Sequence, residues 1–201
     1  MKEVFIIIDY VGTFVFAVTG ASIAVKSKFD FFGMLFLAFL TAVGGGTVRD
    51  LIISQKVFWT VNPTYLYLIF IAALMTFFLS KKFEKTAALM LFLDTLGVGA
   101  FAVIGTHKSL IHGLNGETAF LMGVVTAVLG GILRSAFSRE QSILIKRELY
   151  ASVAAISSFT FIMLRKFDVD AYISGYIVIL VTIIIRYASI KFKILMPSVK
   201  D

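Results

Sequence analysis

Four charged residues lie inside strongly apolar stretches of this sequence. Asp9 and Asp94 each open a segment rich in Gly and Phe, while Arg49 and Arg134 each follow a run of glycines. Charged side chains at membrane depth are costly and usually face the interior of a helix bundle or water. We therefore expect a polar path inside the protein, with Asp9 paired to Arg49 and Asp94 paired to Arg134. The alternative is that these side chains extend to the membrane surfaces.

Two glycine runs precede the arginines by three residues. They are Gly44-Gly45-Gly46 before Arg49 and Gly130-Gly131 before Arg134. Glycine weakens a helix by about 1 kcal/mol relative to alanine, and opened backbone groups are tolerated in a bilayer only where protein or water satisfies them. We predict that the two helices carrying these runs bend towards each other, with glycine carbonyl oxygens lining the path. The alternative is close helix packing through small residues.

Polar side chains near the glycines complete the candidate path. Asp50 is either a group that attracts cations or a solvated charge at a helix end, and Ser135 occupies the matching position near Arg134. His107 and His112 lie five residues apart without neighbouring carboxylates, so we expect no metal site beyond transient contact with a monovalent cation. The predicted path residues are Thr41, Gly44, Gly45, Gly46, Thr47, Arg49, Asp50, Thr126, Gly130, Gly131, Arg134 and Ser135, with Asp9 and Asp94 as paired support.

The composition indicates an all-α integral membrane protein. Hydrophobic residues make up 59% of the 201 residues, 21 residues are Phe, and the mean hydropathy is +0.96; soluble domains are about 45–50% apolar. A membrane-spanning helix needs roughly 20 mostly apolar residues. Seven spans are predicted: Val4–Val25, Gly33–Ile53, Pro63–Leu79, Ala87–Thr106, Thr118–Phe137, Leu149–Leu164 and Tyr172–Ile190. The first has no cleavage site and is expected to be retained.

The sequence contains an internal repeat. DYVGTFVFAVTG from Asp9 matches DTLGVGAFAVIG from Asp94, and TAVGGGTVRD from Thr41 matches TAVLGGILRS from Thr126, both at an offset of 85 residues. Each copy holds three spans, an odd number, so the second copy should insert in the opposite direction, as in many transporters. We predict repeat one at about 4–80, repeat two at about 87–165, and an extra C-terminal helix at about 172–190.

The charge distribution predicts the orientation and excludes several function classes. Basic residues concentrate on the side that holds the loops after the first, third and fifth spans and the C-terminus, so we expect a cytoplasmic C-terminus and an external N-terminus. The net charge of +7 is explained by orientation and by lipid head groups rather than by nucleic acid. Cysteine is absent and no catalytic or nucleotide-binding motif is present, so we expect neither an enzyme nor a cofactor.

These motifs resemble the prokaryotic trimeric intracellular cation channels, the TRIC family. The resemblance rests on GGGTVRD, its echo GGILRS, and the two Asp-to-Gly openings, and it covers about residues 4–190. This group overlaps a bacterial membrane family linked to glycine transport. The resemblance implies a homotrimer, a pore inside each protomer between the second and fifth spans, conduction of potassium or sodium ions, and membrane lipids in the clefts. Leu129 and Ser135 depart from the repeated pattern, so the two halves of the pore are not expected to be equal.

Two other functions remain open from the sequence. A small zwitterion such as glycine could be carried by alternating access at the same midplane site, since Arg49 and Asp50 offer groups of both signs. A membrane scaffold without transport would need no water-filled path. In each case we expect a location in the inner (plasma) membrane of a prokaryote.

Overall fold

The structure is a computed structural model that describes residues 2–84, 87–138 and 149–194. These residues form eight helices: α1 (Lys2–Lys26), α2 (Phe31–Ile52), α3 (Phe58–Val61), α4 (Thr64–Glu84), α5 (Ala87–Ile111), α6 (Gly116–Phe137), α7 (Ala151–Lys166) and α8 (Ala171–Lys191). Seven correspond to the predicted spans, and α3 is a short helix that the sequence did not predict. Residues 139–148 and 195–201 lie outside the described residues. They include some of the basic residues on which the predicted orientation rests.

Five of the helices are long and apolar enough to cross a membrane, namely α1, α2, α5, α6 and α8. The apolar part of α4, Thr64–Leu79, is shorter, and α7 has 16 residues. The chain is therefore an all-helical membrane protein. The count of seven spans remains a prediction, because the apolar part of α4 and the whole of α7 are shorter than the roughly 20 residues of a full crossing.

The helix boundaries follow the sequence repeat. Helices α1 and α5 each have 25 residues and α2 and α6 each have 22, and within each pair the first and last residues are 85 positions apart. The caps also repeat, since Asp30 accepts a hydrogen bond from the Gly33 N–H at 2.7 Å and Asn115 accepts one from the Thr118 N–H at 2.8 Å. Such side chains satisfy the free N–H groups of a first turn, so matching caps start matching helices.

Helices α2 and α6 cross at a point where one glycine of each helix contacts the backbone of the other helix. A methyl group at Gly45 would lie 2.1 Å from the Thr126 carbonyl oxygen, and one at Gly130 would lie 2.2 Å from the Thr41 carbonyl oxygen. The two contacts exchange under the 85-residue offset, which is the reciprocity that a two-fold axis produces. Close packing through small residues is therefore present here. Both helices are continuous through their glycines, and a bend at the glycines remains a prediction.

Helices α1 and α5 repeat this reciprocity next to the crossing. The rings of Phe16 and Phe101 meet edge to face with centroids 5.0 Å apart, and each ring contacts the glycine of the other helix, Gly97 or Gly12. Phe16 is fully buried and lies in the main apolar core. The four helices α1, α2, α5 and α6 thus form the centre of the molecule, while α8 packs outside the repeat against α5 and α7.

We expect Gly130→Ala to destabilise the protein by about 1–3 kcal/mol, the usual cost of overpacking. The added methyl group would meet a backbone oxygen at 2.2 Å, and backbone at a helix crossing cannot move aside as a flexible side chain can. The matched control is Gly175→Ala in α8, where the nearest atom would be 3.4 Å away. Thermal unfolding in detergent measures both, and equal stability of the two variants would contradict the tight crossing.

Candidate functional site

The carboxylate of Asp50 lies at the centre of a buried charge cluster beside the crossing. Its Oδ1 accepts hydrogen bonds from Arg49 Nε and Lys108 Nζ, each at 2.8 Å, and its Oδ2 accepts one from the Phe58 N–H at 3.0 Å. Asp50 is fully buried and Arg49 is 1% exposed. The expected role as a solvated helix-end charge is wrong, because this carboxylate is buried and paired; its role in attracting permeant cations stays a prediction. Asp50 is the shared counter-charge of two cations in a region where charge is costly.

The expected Asp9–Arg49 pair is wrong. Asp9 Oδ2 accepts a hydrogen bond from the Tyr65 hydroxyl at 2.8 Å, and Arg49 forms its ion pair with Asp50 instead. The physical reason is proximity, since Asp50 follows Arg49 directly along α2 and also recruits Lys108 from α5. Asp9 is satisfied by a neutral donor from α4 and remains buried at 9% exposure.

The second half contains the pair that the sequence predicts. Arg134 Nη2 lies 2.8 Å from Asp94 Oδ1, which joins α6 to α5. Arg134 Nη1 donates to the Thr19 hydroxyl at 2.6 Å, which joins α6 to α1. Both arginines are buried within the protein, so the alternative in which they extend to the membrane surfaces does not hold.

The two halves differ by a complementary exchange of charge. Asp50 corresponds to Ser135 under the 85-residue offset, and Lys108 corresponds to Ile23. An ion pair in one half is therefore a neutral pair in the other. The loss of Asp50 alone would leave Arg49 and Lys108 without their shared counter-charge, and both positions break the repeat together.

The guanidinium groups of Arg49 and Arg134 also differ in the hydrogen-bond acceptors around them. Thr19, which accepts from Arg134, corresponds to Ile104 in the other half, and a hydrocarbon side chain cannot accept a hydrogen bond. Arg49 Nη1 is buried and has no hydrogen-bond partner among the described residues. This half therefore retains an unused donor next to the crossing.

The hydroxyl groups predicted to line the path bond to their own helices. Thr41 and Thr126 donate to the carbonyl oxygens of Leu37 and Met122, at 2.7 and 2.6 Å, and both are 1% exposed. Methyl groups at Gly20 and Gly105 would lie 2.6 and 2.7 Å from these hydroxyl oxygens. The hydroxyls thus face glycines of α1 and α5 in this structure, and their role as path walls stays a prediction.

The remaining path residues are covered by large apolar side chains. Leu133 Cδ1 would lie 2.4 Å from a methyl group at Gly44, and the Phe58 ring would lie 2.6 Å from one at Gly46. Thr47 donates to the Val43 carbonyl oxygen and accepts from Trp59 Nε1 at 3.0 Å. Ser135 donates to the Gly131 carbonyl oxygen at 3.0 Å. Leu133 of α6 and Phe58 of the short helix α3 thus pack directly on glycines of α2 at the crossing.

The two histidines have separate surroundings. His107 stacks on Phe5 with ring centroids 3.9 Å apart, and His112 Nδ1 lies 2.7 Å from the Lys108 carbonyl oxygen. Among the described ranges, no group of three or more His, Cys, Asp or Glu side chains comes together as a metal site.

Sequence reasoning missed three members of this site. Lys108 lies two residues beyond the predicted span Ala87–Thr106, yet it belongs to α5 and reaches Asp50. Phe58 and Leu133 were not singled out, because an apolar residue among many carries no distinctive signal. The paired breaks in the repeat, Lys108 against Ile23 and Asp50 against Ser135, are the signal that could have identified the lysine.

A family model described as Glycine transporter matches the chain twice, at residues 6–81 and 91–166. The two matches begin and end 85 residues apart, which is the offset of the sequence repeat and of the helix boundaries. Together they cover well over half of the chain.

The chain is also similar to curated bacterial membrane proteins. The UPF0126 inner membrane protein YadS of Escherichia coli K12 is 34% identical over 194 residues, which cover 95% of this chain and 94% of that protein. A UPF0126 membrane protein of Vibrio cholerae is 34% identical over 197 residues, covering 96% and 81%.

Solved structures share the fold. A TRIC trimeric intracellular cation channel orthologue from Rhodobacter sphaeroides matches with a TM-score of 0.90 and 32% identity, over 95% of this chain and 99% of that one. A structure describing conductance through TRIC cation channels matches with a TM-score of 0.87 and 32% identity, over 96% and 95%. The expected resemblance to TRIC channels is confirmed, and the relatives are membrane proteins and channels rather than enzymes. Through both copies of its repeat, the chain belongs to the glycine transporter family, together with the UPF0126 membrane proteins.

Proposed function

We propose that the protein is a channel for monovalent cations, chiefly potassium, with a pore inside each protomer of a homotrimer. The observation that carries this proposal is the α2–α6 crossing, where two reciprocal glycine contacts are flanked by buried charge clusters. The similarity to TRIC cation channels over nearly the full chain supports it. Seven spans in an inverted repeat, with α4 and α7 as the shorter crossings, belong to the same proposal.

The path runs between α2 and α6, and its walls are the predicted residues on both helices. Glycine carbonyls and the hydroxyls of Thr41 and Thr126 supply oxygen ligands of the kind that replace a cation's hydration shell. Leu133 and Phe58 cover the glycines of α2, so this conformation is closed. Opening requires Leu133 to leave Gly44, after which the bend predicted at the glycines would expose the carbonyls.

A carrier of a small zwitterion is the second candidate, and one observation favours it. Arg49 Nη1 is a buried donor without a partner among the described residues, and a carboxylate is the group that a guanidinium binds best. A zwitterion such as glycine would place its carboxylate there and its ammonium near carbonyl oxygens. The two candidates use the same site and differ in whether the path opens continuously.

A relative and the exposed apolar residues support a location in the inner membrane, in contact with lipids. The inner-membrane location of a relative supports the same location here, with the N-terminus outside and the C-terminus in the cytoplasm. Membrane lipids would cover the exposed apolar residues and fill the groove of about 630 Å³ between α5 and α8, whose lining includes Leu91, Phe92 and Ile183.

Purified protein in liposomes tests the two candidates directly. We expect potassium flux and unitary potassium currents, because the oxygens of the crossing can replace the hydration shell of a cation. Labelled glycine uptake is measured in the same preparation, with protein-free liposomes as control. Saturable glycine uptake without unitary currents would replace the channel by the carrier, and activity in neither assay would contradict both.

Leu133→Ala should raise potassium flux, because it removes the apolar group that packs on Gly44. Apolar constrictions close pores by excluding water, and we expect an increase of at least about threefold in liposome flux when this one is widened. The matched control is Leu121→Ala on the same helix, where the side chain is 57% exposed. Equal flux in the two variants would exclude Leu133 as the closing group.

Asp50→Ser should destabilise the protein by about 3–5 kcal/mol, because it leaves the buried Arg49 and the partly exposed Lys108 without their shared counter-charge. The double variant Asp50→Ser with Lys108→Ile copies the neutral pair of the second half, and Asp9 then becomes available to Arg49. We expect it to recover more than half of the lost stability in thermal unfolding. A double variant as unstable as Asp50→Ser would show that the two positions are not coupled.

A further inference from the structure

At five positions where the junction of α1, α2 and α4 contains alanines, the junction of α5, α6 and α7 contains a buried hydroxyl or a glycine. Under the 85-residue offset, five alanines of repeat one, each 0% exposed, correspond to four hydroxyl residues and one glycine of repeat two. The correspondences are Ala21 with Thr106, Ala24 with Ser109, Ala38 with Gly123, Ala72 with Ser157, and Ala73 with Ser158.

At three of these positions the changes in side-chain volume between the repeats cancel. A methyl group at Gly123 would lie 2.1 Å from Thr106 Oγ1 and 2.4 Å from Ser158 Oγ. The glycine therefore makes room for the two hydroxyls, and the alanine of repeat one fills that space with its methyl group. Such matched changes keep the packing density of a helix contact while replacing apolar contact with polar contact.

Two of the hydroxyls have no protein partner. Ser109 Oγ and Ser158 Oγ are buried and make no hydrogen bond to any described residue. Nearby hydroxyls do bond, since Thr106 donates to the Ala102 carbonyl oxygen and Ser157 shares a hydrogen bond with Thr182 of α8 at 2.6 Å. A buried hydroxyl without a partner is costly, and internal water commonly satisfies such groups. The alanines of repeat one show that the fold itself does not require hydroxyls here.

The same half also lacks the charge cluster that fixes α2. Asp50 ties α2 to α5 through Lys108 and to α3 through the Phe58 N–H. Its counterpart Ser135 donates to the Gly131 carbonyl oxygen within α6, and its hydroxyl forms no hydrogen bond to another helix among the described residues. Helix α2 is thus held by the Asp50 cluster and an alanine contact, whereas α6 is held by the Arg134–Asp94 ion pair and meets α5 and α7 through polar groups around Gly123.

We infer that the α5–α6–α7 junction binds internal water and that repeat two is the half that moves when the pathway opens. Water and hydroxyls exchange hydrogen bonds at little cost, since hydrogen bonds between membrane helices contribute modestly. Thr126 lies one turn along α6 from Gly123, so a shift of α6 at this junction also shifts the crossing at Gly45. The gating role rests on the proposed function; the hydration and the greater mobility of α6 do not.

Hydrogen–deuterium exchange of the intact protein in nanodiscs tests the inference without requiring conduction. We expect amides of α6 next to Gly123 to exchange about tenfold faster than the equivalent amides of α2 next to Ala38, since local opening is easier where contacts are polar. The triple variant Thr106→Ala, Gly123→Ala, Ser158→Ala copies repeat one and should slow α6 to the rate of α2. Equal rates in the wild-type protein, or an α6 rate unchanged in the variant, would overturn the inference.

The repeat provides a reverse variant and a second measurement. Ala21→Thr, Ala38→Gly and Ala73→Ser together transfer the polar junction to repeat one and should speed exchange in α2. If either triple variant does not fold, the double variant Ser109→Ala, Ser158→Ala replaces it. We expect its thermal stability to be unchanged or lower, because the variant loses hydrated hydroxyls. A clear rise in melting temperature would mean that the hydroxyls are dry and would refute the water site. Faster exchange in α6 together with an absence of potassium flux would retain the mobile junction and reject the channel.

Discussion

The contact between glycine and backbone at the α2–α6 crossing is the constraint on which the remaining structure depends. Gly45 lies against the Thr126 carbonyl and Gly130 against the Thr41 carbonyl, so neither helix can carry a side chain at that point. Because each contact is the image of the other, a single geometric condition sets the positions of both repeats. The phenylalanine contact between α1 and α5, the matching caps and the matching helix lengths are consistent with the same axis.

Where α2 and α6 meet, two buried arginines need counter-charges, and the two halves supply them from different residues. Arg134 takes Asp94 from α5 and Thr19 from α1, which leaves its half neutral and linked across three helices. Arg49 takes the adjacent Asp50, and this carboxylate then balances Lys108 as well. Low dielectric makes an unpaired charge far more costly than an imperfect pair. Duplication therefore conserved the arginines but allowed their partners to diverge in compensated sets.

Hydropathy and the repeat were sufficient to predict the helical membrane fold, the two matching halves and the Asp94–Arg134 pair. They could not predict that Arg49 binds Asp50 rather than Asp9, because that choice depends on side-chain direction and on a lysine arriving from another helix. Helix α3 was missed because four residues carry no hydropathy signal. Leu133 and Phe58 were missed because their importance lies in what they cover. Comparing the two repeats position by position recovers part of this, since complementary breaks mark coupled residues such as Asp50 and Lys108.

The inequality of the halves bears on mechanism. A carrier built on an inverted repeat reaches its two states by letting each half adopt the other's conformation, so near-equivalent halves suit it. Here one half is fixed by the Asp50 cluster and an alanine contact, and the other is joined through hydroxyls around Gly123. Exchange of roles would require α2 to break the contact between Asp50 and Lys108, whose equivalent positions in the other half are the uncharged Ser135 and Ile23. A path that opens by movement of α6 alone avoids that cost, and this asymmetry is the physical reason for preferring a gated channel to alternating access.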